Sequence, residues 1–155
     1  MYEKAVEILL VEDNPADEEL TLIALRKNRI TNKIYVARDG EEALDFLQCK
    51  GKFLGRNPLP APRLVLLDIR LPKIDGLEVL RNIKQEPATK AIPVVMLTSS
   101  RQEEDMVKSY QYGVNSFLQK PVDFGRFCEI VRQAGLYWLL LNEPPPKEAF
   151  PPAAP

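Results

Sequence analysis

The sequence predicts a doubly wound α/β domain, a (βα)5 unit with a five-stranded parallel sheet, and three observations predict it. Short apolar runs recur along the chain, each followed by a longer segment with helical apolar spacing. The runs are apolar at consecutive positions and do not alternate, as in strands buried on both faces beneath crossover helices. Four of the five runs end directly at acidic or other polar residues. At 155 residues the chain favours one domain, and burial of roughly 68–70% of its unfolded surface needs no disulfide or metal support.

Each element has its own signal. Glu7-Ile8-Leu9-Leu10-Val11 reads as the first strand and ends at Glu12-Asp13-Asn14. Asn14 then suits an N-cap, Pro15 the first helical position, and Leu20, Ile23, Ala24 and Leu25 the apolar face of the first helix. Lys33 to Ala37 is a second strand, and Ala43, Leu44, Phe46 and Leu47 line a helix starting near Gly40. Arg63 to Leu67 is a third strand, stopping at Asp68, with Leu77, Val79, Leu80 and Ile83 marking the next helix. Ile92 to Leu97 is a fourth strand ending at Thr98, and Met106, Val107 and Tyr110 suit a fourth helix. Ser116-Phe117-Leu118 is the brief fifth strand, followed by a helix from about Asp123 to about Leu141. Its face of Phe124, Phe127, Ile130 and Val131 fits burial.

Nine of the 14 prolines lie in two regions: Pro58, Pro60 and Pro62, and then Pro144 to Pro155. They mark a loop and a tail, because proline removes a donor and fixes φ. The chain therefore divides into a domain over residues 1–141 and a proline-rich tail over 142–155, expected to be flexible or docked as an extended strip.

Composition excludes several function classes. There is no histidine, so no Ser-His-Asp or Cys-His constellation, no imidazole zinc site and no phosphohistidine can form on this chain. A formal net charge of -1 argues against a duplex DNA binder. The basic Arg26-Lys27-Asn28-Arg29 stretch, balanced by Asp17, Glu18 and Glu19, reads as a solvated helix end. Cys49 and Cys128 suit reduced thiols in a cytoplasmic protein. Neither a signal peptide nor a membrane span is expected.

In open parallel sheets ligands bind beyond the carboxyl ends of the strands. Those ends carry Glu12-Asp13, Asp68, Thr98-Ser99 and Lys120-Pro121. Crowded carboxylates need a cation, and oxygen-only ligands suit Mg²⁺. A lysine and a threonine opposite them would contact phosphoryl oxygens, so the set has the parts for phosphoryl transfer. A free carboxylate there can be the nucleophile, giving an aspartyl-phosphate.

These segments, Ile8 to Asn14 and Leu64 to Gly76 with Thr98 and Lys120-Pro121, resemble the receiver domain of two-component response regulators. The resemblance covers about Val6 to Leu141. It implies the CheY-like, flavodoxin-like fold with strand order 2-1-3-4-5. It also implies Asp68 as phosphoacceptor and Mg²⁺ held by Glu12, Asp13, Asp68 and the Arg70 carbonyl. Thr98 and Lys120 would bind the phosphoryl group, Phe117 would be the switch aromatic, and the Lys120-Pro121 bond would be cis. Gly76 would be a turn glycine with positive φ. Glu12 stands where the family more often has aspartate, and Phe117 lacks the hydroxyl of the more familiar tyrosine. Arg70 and Ser100 occupy positions that tune aspartyl-phosphate lifetime.

Asn14-Pro15-Ala16-Asp17, the loop from Lys50 to Pro62 and Tyr137-Trp138-Leu139 before the tail are similar to single-domain regulators paired with phytochrome-type histidine kinases. No effector domain is expected after Leu141, so output passes through protein contact and not nucleic acid or membrane. Residues 136–141 are apolar all round, which predicts a homodimer using Leu136, Tyr137, Trp138 and Leu140, unless they fold back on their own domain. The expected protein is a signalling phosphoacceptor, catalysing only its own phosphotransfer and dephosphorylation. A phosphate sink, or a relay to a histidine phosphotransfer protein, stays open. So does a small phosphatase of the haloacid-dehalogenase kind, although Arg70 stands where that family has its second acid. A receiver that works without phosphorylation is the remaining alternative.

Overall fold

A computed structural model describes residues 6–99, 102–120 and 124–151. Strands β1 (Ile8–Val11), β2 (Ile34–Ala37), β3 (Leu64–Leu67), β4 (Val94–Thr98) and β5 (Ser116–Gln119) form one parallel sheet in the order β2-β1-β3-β4-β5. Helices α1 (Pro15–Lys27), α2 (Gly40–Gln48), α3 (Gly76–Gln85), α4 (Glu103–Gln111) and α5 (Phe124–Gly135) connect or follow the strands. The expected fold class and strand order are both present.

The consecutive apolar runs follow from two buried faces. Leu9, Val11, Val65, Leu67 and Met96 point into a core shared with Phe46, Leu47, Leu80 and Ile83 of α2 and α3. Ile8, Leu10, Leu64, Leu66 and Val95 point to the other side, and beyond them Ala24 and Leu25 of α1 meet Val131 of α5. Because every strand is parallel, all carboxyl ends lie at one pole of the sheet and all amino ends at the other. Local signals support this frame. The Asn14 side chain accepts from the backbone N–H of Ala16 at 2.9 Å and of Asp17 at 3.1 Å, a cap that contributes about 1 kcal/mol.

Three expectations need correction. Helix α4 turns its apolar residues outward: Met106, Val107 and Tyr110 are exposed, while Asp105 and Ser109 are buried. Its inner side is polar because the Ser109 hydroxyl donates to the Asp105 carbonyl at 2.8 Å, and Tyr112 and Val114, just after the helix, fill the core instead. Gly76 is not a positive-φ residue; Lys73, at φ 66, takes that conformation. What requires glycine at 76 is close approach, since a Cβ there would lie 2.0 Å from the Asp68 carbonyl oxygen.

The last helix also differs. It passes into a π-helical segment at Leu136–Leu141, and Leu139 is buried in the domain's own core with Ile8, Leu10 and Leu66. That burial is worth about 1.5–3 kcal/mol, so at this position the apolar end folds back on itself. Of the two expectations for the tail, flexible or docked, the described residues show it docked. It forms a short 3₁₀ turn at Lys147–Ala149, and Phe150 packs against the core. Among the described residues no helix is long and apolar enough to cross a membrane.

Candidate phosphoacceptor site

The carboxyl pole is built by residues that directly follow strands. Glu12 follows β1, and its backbone N–H donates to the Ala37 carbonyl at 3.0 Å. Asp68 follows β3, held by its own N–H on the Val11 carbonyl at 3.2 Å. Lys120 follows β5 with its N–H on the Thr98 carbonyl at 2.8 Å. Three strand extensions thus place three side chains without any loop intervening, which makes their positions stiff.

The Lys120 ammonium is the hub. It donates to the Glu12 carboxylate through a short hydrogen bond, to Asp17 Oδ2 at 3.1 Å and to Asp68 Oδ2 at 3.3 Å. The other Asp68 oxygen, Oδ1, accepts the Ile69 backbone N–H at 2.7 Å. Oxygens of Glu12, Asp17 and Asp68 all lie within 4.8 Å of one another. Burial, followed by the Asp68 charge, pushes the Glu12 carboxyl upward against the pull of Lys120. Burial opposes the Lys120 charge in turn, but Glu12, Asp68 and Asp17 together raise its pKa.

Of the expected site residues, Glu12, Asp68 and Lys120 therefore meet. Asp13 is exposed and lies outside the three-carboxylate group. Thr98 is fully buried at the end of β4. Phe117 pairs with Met96 and packs, half-buried, on the α2–α3 side. The Arg70 guanidinium reaches the buried Asp105 of α4, Nη2 to Oδ2, at 3.4 Å. The Lys120-Pro121 bond and Ser100 fall outside the described residues, as do the side chains of Phe124, Phe127, Leu136, Leu140 and Leu141. Tyr137 is exposed and Trp138 half-buried, their rings edge to face at 4.9 Å.

Asp17 is the residue that sequence reasoning missed, having been read as a charge balancing the basic end of α1. It lies in the first turn of α1, directly after the β1 terminus, which places it at the carboxyl pole. Asp105 was missed because it is the last of three consecutive acids, Glu103-Glu104-Asp105, and nothing in such a run marks which one faces inward.

The donor set is all hard oxygen. Three carboxylates against one ammonium leave two negative charges in excess, which fits a divalent cation such as Mg²⁺ or Mn²⁺.

Comparison with known proteins agrees with this geometry. The profile of the response regulator receiver domain matches residues 8–132. Response regulator Rcp1 of Synechocystis sp. is 42% identical over 132 residues, covering 85% of this chain and 88% of that protein. A structure of the Mn²⁺-bound form of Rcp1 superposes with a TM-score of 0.82 at 41% identity, covering 89% of this chain and 97% of the other. The phosphorylated cyanobacterial phytochrome response regulator RcpA gives a TM-score of 0.82 at 38% identity, with 89% and 96% covered. The bacteriophytochrome response regulator AtBRR is 53% identical with a TM-score of 0.72, covering 91% of this chain and all of that one.

Proposed function

This chain belongs to the response regulator receiver domain family, and from that premise we propose that it accepts a phosphoryl group on Asp68 from a phytochrome-type sensor histidine kinase. The carrying observation is the asymmetric setting of Asp68. One carboxylate oxygen is tied to the Ile69 N–H, while the other faces Lys120 beside Glu12 and Asp17.

In the reaction the Asp68 Oδ2 lone pair forms a bond to phosphorus. The bond between phosphorus and the donor imidazole nitrogen breaks, and its electron pair returns to that nitrogen, which takes a proton from solvent. The Ile69 N–H fixes the rotation of the nucleophile, and Lys120 neutralises charge on a phosphoryl oxygen, so positioning and electrostatics supply the catalysis. Thr98, at the neighbouring strand end, contacts a second phosphoryl oxygen. A divalent cation such as Mg²⁺ would supply further charge neutralisation there when bound. Glu12 and Asp68 of the three-carboxylate group would hold that cation, with Asp13 and the Arg70 carbonyl as the further ligands that the family resemblance implies. Phe117 reports occupancy through packing alone, having no hydroxyl.

The protein acts in the cytoplasm as a signalling phosphoacceptor, catalysing only its own phosphotransfer and dephosphorylation. Output passes by protein contact, with a homodimer through exposed Tyr137 and half-buried Trp138 as one form. The similarity to RcpA, a cyanobacterial phytochrome response regulator, and to AtBRR, a bacteriophytochrome response regulator, supports the phytochrome pairing.

The decisive experiment is incubation with acetyl phosphate and Mg²⁺ followed by intact mass. One added phosphoryl group on wild type and none on Asp68→Asn is expected. Equal labelling of the two proteins would reject the assignment, and steady hydrolysis of many phosphate esters would point to a phosphatase instead. Light scattering at tens of micromolar tests the dimer: a monomer with and without a phosphoryl mimic removes it.

A further inference from the structure

The amino pole of the sheet, far from Asp68, carries a second surface. The loop after α2 and the docked tail enclose a cleft of about 1050 Å³ between residues 57–63 and 144–151. Its walls are Leu59, Pro60, Ala61, Pro144, Pro145 and Phe150, so most of what an occupant would meet is apolar and rigid. Prolyl rings lose no rotamer freedom on binding, which lowers the cost of ordering this surface.

The two charged residues that line the cleft, Arg63 and Lys147, are both cations, with Glu7 beside Arg63 and Glu143 and Glu148 in the tail as the neighbouring acids. From Lys50 to Arg63 the chain has four cations and no acid, in a protein whose net charge is -1. Two of the four are occupied elsewhere. Lys52 pairs with Glu42 at 2.6 Å, while Arg56 donates to the Phe46 carbonyl at 2.9 Å and lies 4.0 Å from the centre of its ring. Arg63 lines the cleft, and its nearest acid, Glu7, is 3.9 Å away. Its Nε is buried with no hydrogen-bond partner among the described residues. A buried donor without an acceptor costs on the order of 1–3 kcal/mol. Lys147, exposed on the tail, is the second cation of the lining, and among the described residues no acid lines the cleft.

We propose that this cleft docks an acidic peptide segment of a second protein, its carboxylates on Arg63 and Lys147 and an aromatic side chain among the prolyl rings and Phe150. A volume at the upper limit of small-ligand sites suits a peptide segment better than a single metabolite. Parallel strands put this surface at the end opposite the phosphoacceptor. A partner held here and a kinase at the carboxyl pole therefore do not compete, and one chain can bridge the two.

The test uses the full chain and a short fluorescein-labelled peptide of alternating glutamate and phenylalanine. Anisotropy should show binding with Kd below about 1 mM. Replacing the glutamates by glutamine, or the phenylalanines by alanine, should weaken it at least about fivefold. Lys147→Gln, on an exposed tail position, should weaken it about threefold while phosphoryl uptake from acetyl phosphate stays unchanged; Arg63→Gln should cost more. Amide shifts in two-dimensional NMR should fall on Leu59, Ala61 and Phe150. Four results overturn the proposal. They are no binding at about 1 mM, equal binding of the glutamine peptide, shifts centred on Glu12 and Lys120, and self-association that Lys147→Gln abolishes.

Discussion

Two lysines are withdrawn from water at opposite ends of the same sheet; burial disfavours the charge of both, yet their pKa values move in opposite directions. Lys120, at the carboxyl pole, donates to three carboxylates, and their charges raise its pKa in spite of burial. Lys84, at the amino pole, donates to the Ile92 carbonyl at 2.7 Å, the Asn115 amide oxygen at 3.0 Å and the Lys90 carbonyl at 3.2 Å. Burial pushes its ammonium down to about 8. Carbonyl oxygens satisfy the donors of an ammonium but supply only partial charge. Carboxylates supply whole charges, worth on the order of 4 kcal/mol for a pair 4 Å apart near a protein surface. One lysine therefore balances a site with excess negative charge, and the other staples loops together.

The largest break in this symmetry comes from removing each lysine in turn. Lys120→Met leaves Glu12, Asp17 and Asp68 facing one another, and should cost about 3 kcal/mol in urea unfolding with a chelator present. Millimolar Mg²⁺ should recover more of that loss than it adds to wild type, because a cation that binds only the folded state stabilises it. A variant as stable as wild type and indifferent to Mg²⁺ would mean that the three carboxylates do not act as one charged cluster.

Glycines sharpen the contrast at a smaller scale. Gly76 lies against the Asp68 carbonyl, with no room for a Cβ, whereas Gly55 in the amino-pole loop has φ +94 and nothing within 4 Å. Gly76→Ala should cost about 2–3 kcal/mol by overpacking, and Gly55→Ala about 1 kcal/mol from backbone strain alone. Gly76→Ala should also slow phosphoryl uptake, since the backbone of Asp68, the proposed nucleophile, must shift. Equal costs at the two positions would show that the carboxyl pole has more slack than the contacts imply.

The two poles were unequally legible in the sequence. At the carboxyl pole Glu12, Asp68 and Lys120 directly follow strands and Thr98 ends one, so locating the strands located the candidate site. Asp17 escaped because its place depends on how the first turn of α1 sits over β1 and not on any run. The outward face of α4 escaped for a related reason. Met106, Val107 and Tyr110 have helical spacing, but Asp105 takes the inner side with the Arg70 guanidinium as a partner, and that ion pair joins residues 35 apart. The amino pole was the least readable. Its cleft joins the loop at 57–63 to the tail at 144–151, two proline-rich stretches with no periodicity. Composition identifies both as irregular, but only the packing of Phe150 on the core brings the tail to the loop.

The smallest effect tests Lys84 directly, through the sign of a pH dependence. Its folded pKa of about 8 lies below the unfolded value of 10.5. Between those two values the unfolded chain binds more protons than the folded one, so this group makes stability rise as pH rises. Below about 8 both states carry the charge, and the burial cost is fully present. The difference in unfolding free energy between wild type and Lys84→Met should therefore shift in favour of wild type from pH 7 to pH 10. Taking the difference cancels the titration of every group the two proteins share. A difference that does not change with pH would mean that the three oxygens hold the ammonium at its ordinary pKa. The contrast with Lys120 would then be one of degree and not of sign.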